Sequence, residues 1–298
     1  MPEPISIVIP TRNRRDLLKE CLASLKKQQG PFEIIVVNDA STDGTREFLN
    51  ENAVQNLRLL ENETQQGKSE TRNRGVRAAT HALITFIDDD CTAAPNWLAE
   101  LRNGFAKDST AFVIGETRYV ADHYRGAFPE RVVQNRNAVW PSTSNMAYRA
   151  IVFMNLGGFD AFYDRFNNED TELGIRAVAA GNHFLRMPSA RVFHQKSAWT
   201  APALLAAAHN TAVMVHMKKK YPRHYQIFRK QFAFGVILRP ITYLLLLFSP
   251  IVIPFLFFRY LIHGKRNIAI FFVKWPIFFI LERFWIWHEA IKLRVLVL

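Results

Sequence analysis

The stretch from residue 82 to residue 92, ALITFIDDDCT, constrains the fold of this chain more than any other. Residues 82–87 are all apolar or β-branched, a run typical of a short buried strand, and three aspartates end it abruptly. Because side chains alternate along an extended chain, we expect Asp88 and Asp90 to share one face and Asp89 to point the opposite way. Two neighbouring carboxylates stay ionised together only if a cation lies between them or both face water. The pattern predicts either a site for a hard divalent ion or a simple acidic turn.

Apolar runs and amphipathic stretches alternate along the first two thirds of the chain. This alternation indicates a parallel sheet with right-handed crossovers, in which ligands bind beyond the carboxyl ends of the strands. The predicted strands are 5–9, 32–37, 57–60, 82–87, 111–119, a strand carrying Ser144 and Asn145, 183–187 and 191–193. The predicted helices are 16–27, 44–52, 67–79, 96–105, 149–156, 169–181 and 201–220. Residues 122–137 fit neither pattern.

Polar residues follow the predicted strands at the edge where a ligand would bind. Residues 11–13 come after the first strand, Asp39 after the second and residues 88–90 after the fourth. Such an arrangement is typical of a nucleotide cleft. The sequence has neither the G-x-G-x-x-G turn of dinucleotide-binding proteins nor the Walker lysine loop, which disfavours an NAD enzyme and a P-loop NTPase.

The charge of the chain is concentrated at its C-terminal end. Of 38 basic and 26 acidic residues, 14 basic but only two acidic residues lie from residue 215 onward, so the first two thirds is neutral. A nucleic-acid-binding enzyme more often carries its basic excess on the catalytic body. We therefore expect an anionic membrane surface, and not a nucleic acid, as the partner of this region.

The cysteines and the N-terminal residues indicate the kind of cellular compartment in which the protein is expected. The two cysteines, Cys21 and Cys91, show no paired or metal-ligand spacing, which favours a reducing compartment. The N-terminal residues MPEPISIVIPTRN lack a charged region and a long apolar core, so we expect a strand there and not a signal peptide.

The last 60 residues contain two apolar runs. Residues 240–258 carry no charge and would reach about 28 Å as a straight helix, close to the hydrocarbon thickness of a bilayer. Pro250 and Pro254 predict a kink or break in that helix. The second run, 268–281, leads to the aromatic segment 285–287, which is typical of a membrane interface. We favour a re-entrant or in-plane hairpin over two full spans, with a buried pair of helices as the alternative.

Seven short segments between residues 5 and 194 follow one another in a characteristic order: IVIPTRNR, EIIVVNDASTDGT, GKSETRNRG, FIDDD, TSNMAYR, GGFD and NNEDTELGIRA. Together they resemble the inverting glycosyltransferases of family 2, which have the GT-A fold. The resemblance implies an α/β fold whose mostly parallel sheet is flanked by helices. The expected domains are a GT-A glycosyltransferase domain (1–199), a basic helical linker (200–234) and an apolar, membrane-associated helical region (235–298).

The resemblance implies a nucleotide-sugar site. Asp39 matches the acid that accepts a hydrogen bond from the base, a role that suits the ring N–H of uracil. Asp88 would lie near the ribose. Arg72 would lie near the pyrophosphate, unless it belongs to a solvated helix face. The expected nucleotide-sugar-binding residues are Pro10, Thr11, Arg12, Asp39, Lys68, Arg72, Asp88 and Asp89.

The resemblance also implies a catalytic pair and a metal site. Asp170 matches the catalytic acid of the family's E-D pair, and Glu169 beside it would bind the acceptor or brace the loop. The alternative for both is N-terminal decoration of a helix, since acids are favoured there by the helix dipole. Asp90 would bind Mn²⁺ or Mg²⁺, and His194 resembles a histidine that some members add to the metal.

The function implied is that of a membrane-associated, metal-dependent inverting glycosyltransferase. It would move a sugar from a nucleotide-diphosphate sugar, with a UDP-sugar expected, to a lipid-linked or cell-envelope glycan at the cytoplasmic face of the cell membrane. Ser144 and Asn145 either line the route to the acceptor or are ordinary polar residues at a strand end. No Q-x-x-R-W motif is present, which favours a single transfer per encounter. The alternatives are a nucleotidyl- or phosphoryl-transferring enzyme and a catalytically silent nucleotide-sugar-binding subunit.

Overall fold

The computed structural model describes residues 2–52, 56–120, 130–131, 134–195, 197–198, 200–228 and 268–296. The chain divides into two compact units, which consist of residues 1–122 with 132–196 and of residues 123–131 with 197–298. The apolar run 240–258 and the boundary predicted at residue 234 lie outside the described residues. The predicted linker and apolar region therefore stay predictions.

Ten strands are present in the described part of the chain. The strands are β1 (Ile5–Thr11), β2 (Phe32–Asp39), β3 (Leu57–Asn62), β4 (Leu83–Phe86), β5 (Cys91–Ala93), β6 (Thr110–Tyr119), β7 (Glu130–Arg131), β8 (Met146–Arg149), β9 (His183–His194) and β10 (Ser197–Ala198). Eight of them form one mixed sheet in the order β3-β2-β1-β4-β8-β6-β9-β5. Within it only β8 and β5 run against the others, because their pairings with β4, β6 and β9 are antiparallel.

Helices flank this sheet, as the sequence predicts for an α/β fold. The helices of the described chain are α1 (Arg15–Leu25), α2 (Thr45–Glu51), α3 (Lys68–Ala78), α4 (Trp97–Gly104), α5 (Ala150–Asn155), α6 (Glu169–Ala179), α7 (Ala201–Asn210), α8 (Val213–Lys220) and α9 (Ile268–Leu293). Central strands such as β4 are fully buried because helices cover them. Leu18, Leu22 and Leu25 of α1 join the main hydrophobic core at helical spacing.

Three predicted elements differ from the structure. The strands predicted at 183–187 and 191–193 are one strand, β9, whose pairing with β6 shifts register between Gly115 and Glu116, so the predicted gap is a bulge. The helix predicted over 201–220 is two helices, α7 and α8. Ser144 and Asn145 precede β8 and are not part of it.

Gly75 brings α3 close to the sheet. A Cβ on this residue would clash with Val8 Cγ1 of β1 and lie 3.2 Å from Val37 Cγ2 of β2. We expect Gly75→Ala to lower the free energy of unfolding by about 1–3 kcal/mol, because the added methyl overpacks the interface. In an uncrowded helix the same change would raise stability by about 0.5–1 kcal/mol.

Chemical denaturation of the wild type and Gly75→Ala checks this prediction. Arg77→Ala is the matched control, because Arg77 lies on the same helix and its side chain is half exposed. A stabilising effect of Gly75→Ala would contradict the close packing of α3 on β1.

The second unit contains α7, α8, α9 and the short β7–β10 ladder. Helix α9 packs against α7 and α8, and His216 Nε2 lies 2.9 Å from Glu289 Oε2. Within the described ranges, no helix combines the length and the apolar character needed to cross a membrane.

Candidate active site

The three aspartates after β4 lie in a turn in which the Cys91 N–H donates to the Asp88 carbonyl. The prediction that Asp88 and Asp90 share a face is wrong, because it assumed extended chain. Asp89 and Asp90 share a partner instead: Arg14 Nη1 lies 3.0 Å from Asp89 Oδ1 and 2.8 Å from Asp90 Oδ2. The turn sends Asp88 toward α3 and the other two toward the loop after β1.

Asp89 connects this turn to the end of β1. Its carboxylate is buried and accepts a 2.9 Å hydrogen bond from Thr11 Oγ1 in addition to the Arg14 contact. Burial raises the pKa of Asp89 to about 6; Arg14 opposes the shift and Asp90 adds to it. Both carboxylate oxygens of Asp89 thus have protein partners, and both hold the first loop against the aspartate turn.

Arg72 joins Asp88 to the start of α6. Its Nη2 donates to Asp88 Oδ1 at 2.6 Å, and its Nη1 donates to Glu169 Oε1 at 3.1 Å. The arginine is only 4% exposed, so the alternative of a solvated helix face is wrong. Burial alone would raise the pKa of Asp88, but the Arg72 guanidinium outweighs it, and the pKa lies below its ordinary value. Asp88 is therefore held as an anion.

Two carboxylates fix the N-terminal end of α3 and so position Arg72. Asp39 accepts hydrogen bonds from the Gln66 and Gly67 amides at 2.8 and 3.2 Å, and Asp164 accepts one from the Ser69 amide at 3.1 Å. The Gly67 and Ser69 amides are among those that a helix start leaves without intrahelical partners, and the Gln66 amide belongs to the loop before it. Asp39, at the end of β2, also accepts from the Asn62 amide group at 2.7 Å. The residue expected to bind the base thus anchors the loop before α3.

Asp170 lies in the first turn of α6 and is partly exposed. Its Oδ1 accepts from the Thr171 amide at 2.6 Å, and its Oδ2 accepts from the Thr143 amide at 3.2 Å. Burial raises the pKa of Asp170 to about 7, the negative charge of Glu169 adds to the shift, and the two amides oppose it. A carboxyl group with this pKa can both take and release a proton near neutral pH.

Glu169 is more deeply buried than Asp170. One of its oxygens contacts Arg72, while Oε2 has no hydrogen-bond partner among the described residues. A buried carboxylate oxygen usually has a partner, and an unsatisfied one marks a place where water or a ligand group fits. Both acids thus make specific contacts, and an interaction with the helix dipole alone does not account for either position.

Asp90 and His194 face each other across the end of β5. His194 Nε2 lies 3.4 Å from Asp90 Oδ1, and His194 Nδ1 lies 2.7 Å from the Gln195 carbonyl oxygen. Because a carbonyl only accepts, Nδ1 carries a proton, and in the neutral ring Nε2 presents a lone pair to the carboxylate. A metal ion bound between these two atoms would satisfy both acceptors. A hydrogen bond from the second ring nitrogen to a carbonyl is also typical of metal-binding histidines.

Pro10, Arg12 and Lys68 are the remaining residues expected to bind the nucleotide sugar. Pro10 is half-buried at the end of β1, and Arg12 is exposed. Lys68 begins α3 and its Nζ donates to Asn167 Oδ1. Arg12 follows β1, Lys68 begins the helix after β3, and both residues are exposed.

Ser144 and Asn145 do not face the solvent. Ser144 Oγ lies 2.9 Å from both the Thr117 and the Ser142 hydroxyl oxygens. Asn145 is fully buried, accepts from Trp97 Nε1 at 2.8 Å, and donates to two backbone carbonyls. These hydrogen bonds fix the residues that lead into β8. The expected position beside the acceptor is therefore wrong, because buried side chains offer no surface to an acceptor.

Sequence reasoning missed Arg14, the cation nearest to Asp89 and Asp90. The signal was available, since Arg14 lies in the polar loop after the first strand. It also missed Thr143 and Asp164, whose roles depend on contacts distant in sequence. The spacing of the cysteines also gives no sign of a position near the site for Cys91, whose Sγ lies 3.8 Å from Asp90 Oδ1.

Solved structures with a similar fold include two complexes. The mannosyltransferase PcManGT from Pyrobaculum calidifontis, in complex with GDP-Man and Mn²⁺, matches 94% of this chain and 87% of its own with a TM-score of 0.60 and 17% identity. S. aureus TarS 1–349, in complex with UDP-GlcNAc, matches 97% of this chain and 92% of its own with a TM-score of 0.55 and 18% identity. At these identities the similarity is one of fold.

Comparison of sequences identifies the family. Glycosyltransferase AglE of Haloferax volcanii is 33% identical over 99 residues, which are 32% of this chain and 33% of that protein. The chain spans between about a third and a half of the length of the first three curated relatives. The family model "Glycosyl transferase family 2" matches residues 6–171, more than half of the sequence, and includes every acid of the site described above. The chain belongs to glycosyl transferase family 2.

Proposed function

We propose that the protein is a metal-dependent inverting glycosyltransferase that transfers a sugar from a nucleotide-diphosphate sugar, with a UDP-sugar as the expected donor. The observation that carries the proposal is the convergence of acids from separate elements. Arg72 links Asp88 to Glu169, next to Asp170, while Asp90 of the same turn faces His194. With a metal ion at Asp90 and His194, such a site would hold the donor's diphosphate close to a carboxylate that can act as the catalytic base.

Asp170 is the proposed catalytic base. Inverting transfer requires a carboxylate that removes the proton of the acceptor hydroxyl while the anomeric carbon is attacked from the side opposite the leaving diphosphate. The Thr143 and Thr171 amides orient the Asp170 carboxylate, and its pKa of about 7 leaves it basic enough to take that proton. Glu169, paired to Arg72, keeps the neighbouring guanidinium in place.

Asp90 Oδ1 and His194 Nε2 would hold the metal, since they face each other at 3.4 Å and both can donate a lone pair to an ion. When bound, a divalent ion offsets the charge that develops on the departing diphosphate. Arg14 occupies the other Asp90 oxygen and fixes the direction of the carboxylate. The structural neighbours with bound GDP-Man, Mn²⁺ and UDP-GlcNAc support a nucleotide-sugar donor and are consistent with a divalent metal.

We expect Asp90→Asn to abolish metal-dependent binding of a nucleoside diphosphate, because the amide removes the negative charge that attracts the ion. Isothermal titration of UDP with and without Mn²⁺ measures this directly. Asp108→Asn is the matched control, because Asp108 is fully exposed in the loop before β6. Tight, Mn²⁺-dependent binding by Asp90→Asn would show that another group holds the ion.

The proposed acceptor is a lipid-linked or cell-envelope glycan at the cytoplasmic face of the cell membrane, with one sugar added per encounter. Along α9, four exposed apolar side chains recur at helical spacing: Ile280, Phe284, Trp287 and Ile291. The strong positive balance from residue 215 onward would attract anionic headgroups to the same region. An apolar face flanked by basic residues is typical of helices that lie in a membrane interface.

Removal of residues 231–298 tests the membrane proposal. We expect the full chain to float with vesicles containing anionic lipid and the shortened chain to stay in the soluble fraction, because the apolar and basic C-terminal region is then missing. Donor binding by the shortened chain serves as the control for its folding. Flotation of a folded, shortened chain would place the attachment elsewhere.

A further inference from the structure

The Asp90–His194 pair has a third neighbour whose chemistry differs from that of a magnesium site. A carboxylate oxygen of Asp90, a ring nitrogen of His194 and the sulfur of Cys91 all lie within 4.8 Å of one another. Cys91 and His194 are directly opposed in the antiparallel β5–β9 pair. Directly opposed residues of neighbouring strands place their side chains on the same face of a sheet, so the pairing itself brings sulfur and imidazole together.

We propose that Cys91 is a third protein ligand at this site and that the site binds thiophilic divalent ions, such as Zn²⁺ and Co²⁺, more tightly than Mg²⁺. The inference rests on the proposed function only in placing a metal at Asp90 and His194. Thiolate sulfur selects zinc and similar ions, whereas magnesium prefers oxygen.

The spacing of the ligand atoms supports this assignment. A tetrahedral zinc site, with bonds of about 2.0 Å to oxygen and nitrogen and 2.3 Å to sulfur, separates oxygen from nitrogen by about 3.3 Å and oxygen from sulfur by about 3.5 Å. Here Asp90 Oδ1 lies 3.4 Å from His194 Nε2 and 3.8 Å from Cys91 Sγ. Arg14 holds the other oxygen of Asp90, which leaves Oδ1 as the single donor atom of that residue.

Binding of the metal ion to Cys91 exchanges the thiol proton for the ion. The Cys91 S–H bond breaks, its proton leaves to solvent, and a sulfur–metal bond forms without change of oxidation state. We expect Zn²⁺ to displace Mn²⁺, because a thiolate ligand favours zinc much more than manganese.

Addition of Co²⁺ to the full-length protein, with a reductant that carries no thiol, tests the inference without reference to activity. A sulfur-to-cobalt charge-transfer band in the near ultraviolet is the expected result. The chain has two cysteines, so two variants assign the band: Cys91→Ala should lose it and Cys21→Ala should keep it. Cys91→Ser should weaken Zn²⁺ binding by at least about tenfold, since even residues that only support a ligand contribute that much, and leave Mn²⁺ affinity nearly unchanged.

The spectrum of the wild type shows whether a cysteine sulfur binds Co²⁺ even if Cys91→Ala fails to fold. Binding of Co²⁺ by folded wild type without the band, or a band retained in Cys91→Ala, would overturn the inference and leave the proposed function intact. If neither Co²⁺ nor Mn²⁺ binds, the inference fails together with the metal dependence of the proposed function.

Discussion

Replacement of Asp170 by asparagine is expected to lower kcat by about 10²–10⁴-fold, because that is the usual contribution of a positioned general base. The asparagine amide can still accept a hydrogen bond from Thr143 or Thr171, so the start of α6 should keep its position. Donor affinity should change little, since Asp170 acts on the acceptor hydroxyl. Initial-rate kinetics with donor titration separate the two effects.

The pH dependence of the wild type provides the matching control. Burial raises the pKa of Asp170 to about 7, and a base acts only in its deprotonated form, so kcat/KM should rise with pH and level off above about 7. Asp170→Asn should lose this limb of the profile. Near-normal turnover of Asp170→Asn would assign the base role to Glu169 or to another group. Donor binding without turnover by the wild type would favour the silent-subunit alternative.

Replacement of Arg72 by methionine is expected to lower the free energy of unfolding by about 3–5 kcal/mol, the usual result of removing one partner of a buried ion pair. The side chains of Arg72 and Glu169 are only 5% and 4% exposed, so Glu169 would be left as a buried charge without its counter-ion. Asp88 is less deeply buried and can be hydrated, so most of the loss comes from Glu169. Denaturant unfolding at neutral pH measures the difference.

Two further variants test the cause of that loss. Arg72→Met combined with Glu169→Gln should recover part of the stability, because the unpaired charge is then gone. Arg77→Met, which breaks the half-exposed pair between Arg77 and Glu70, should cost no more than about 1 kcal/mol. If Arg72→Met proves as mild as Arg77→Met, the buried pair contributes little and the link between Asp88 and α6 is not a structural one.

Most of the sheet could be predicted because its signals are local. β1, β2 and β4 are continuous apolar runs, and the polar residues after them mark the edge where the site lies. Elements that depend on distant partners were missed. β5 has only three residues and exists because it pairs with β9, which also explains why His194 lies beside the aspartate turn.

The family resemblance implies a role for each site residue, and these roles stay predictions that the structure describes only in geometry. Asp90 Oδ1 lies 3.4 Å from His194 Nε2, and the prediction that the two bind a metal stays a prediction. Asp88 and Asp90 do not alternate as residues of an extended chain would, because they lie in a turn and not in a strand. The sequence places Arg14 in the polar loop after β1, but its bridge between Asp89 and Asp90 is set by tertiary contact.

The central claim is that these converging acids bind a metal ion and a sugar nucleotide for transfer. Thermal stabilisation by a panel of nucleotide sugars and nucleoside triphosphates, each with and without Mn²⁺, tests it most directly, since a ligand that binds the folded state raises its stability. We predict stabilisation by at least one nucleoside-diphosphate sugar that depends on Mn²⁺. Stabilisation by nucleoside triphosphates alone would contradict this account and favour a nucleotidyl-transferring enzyme.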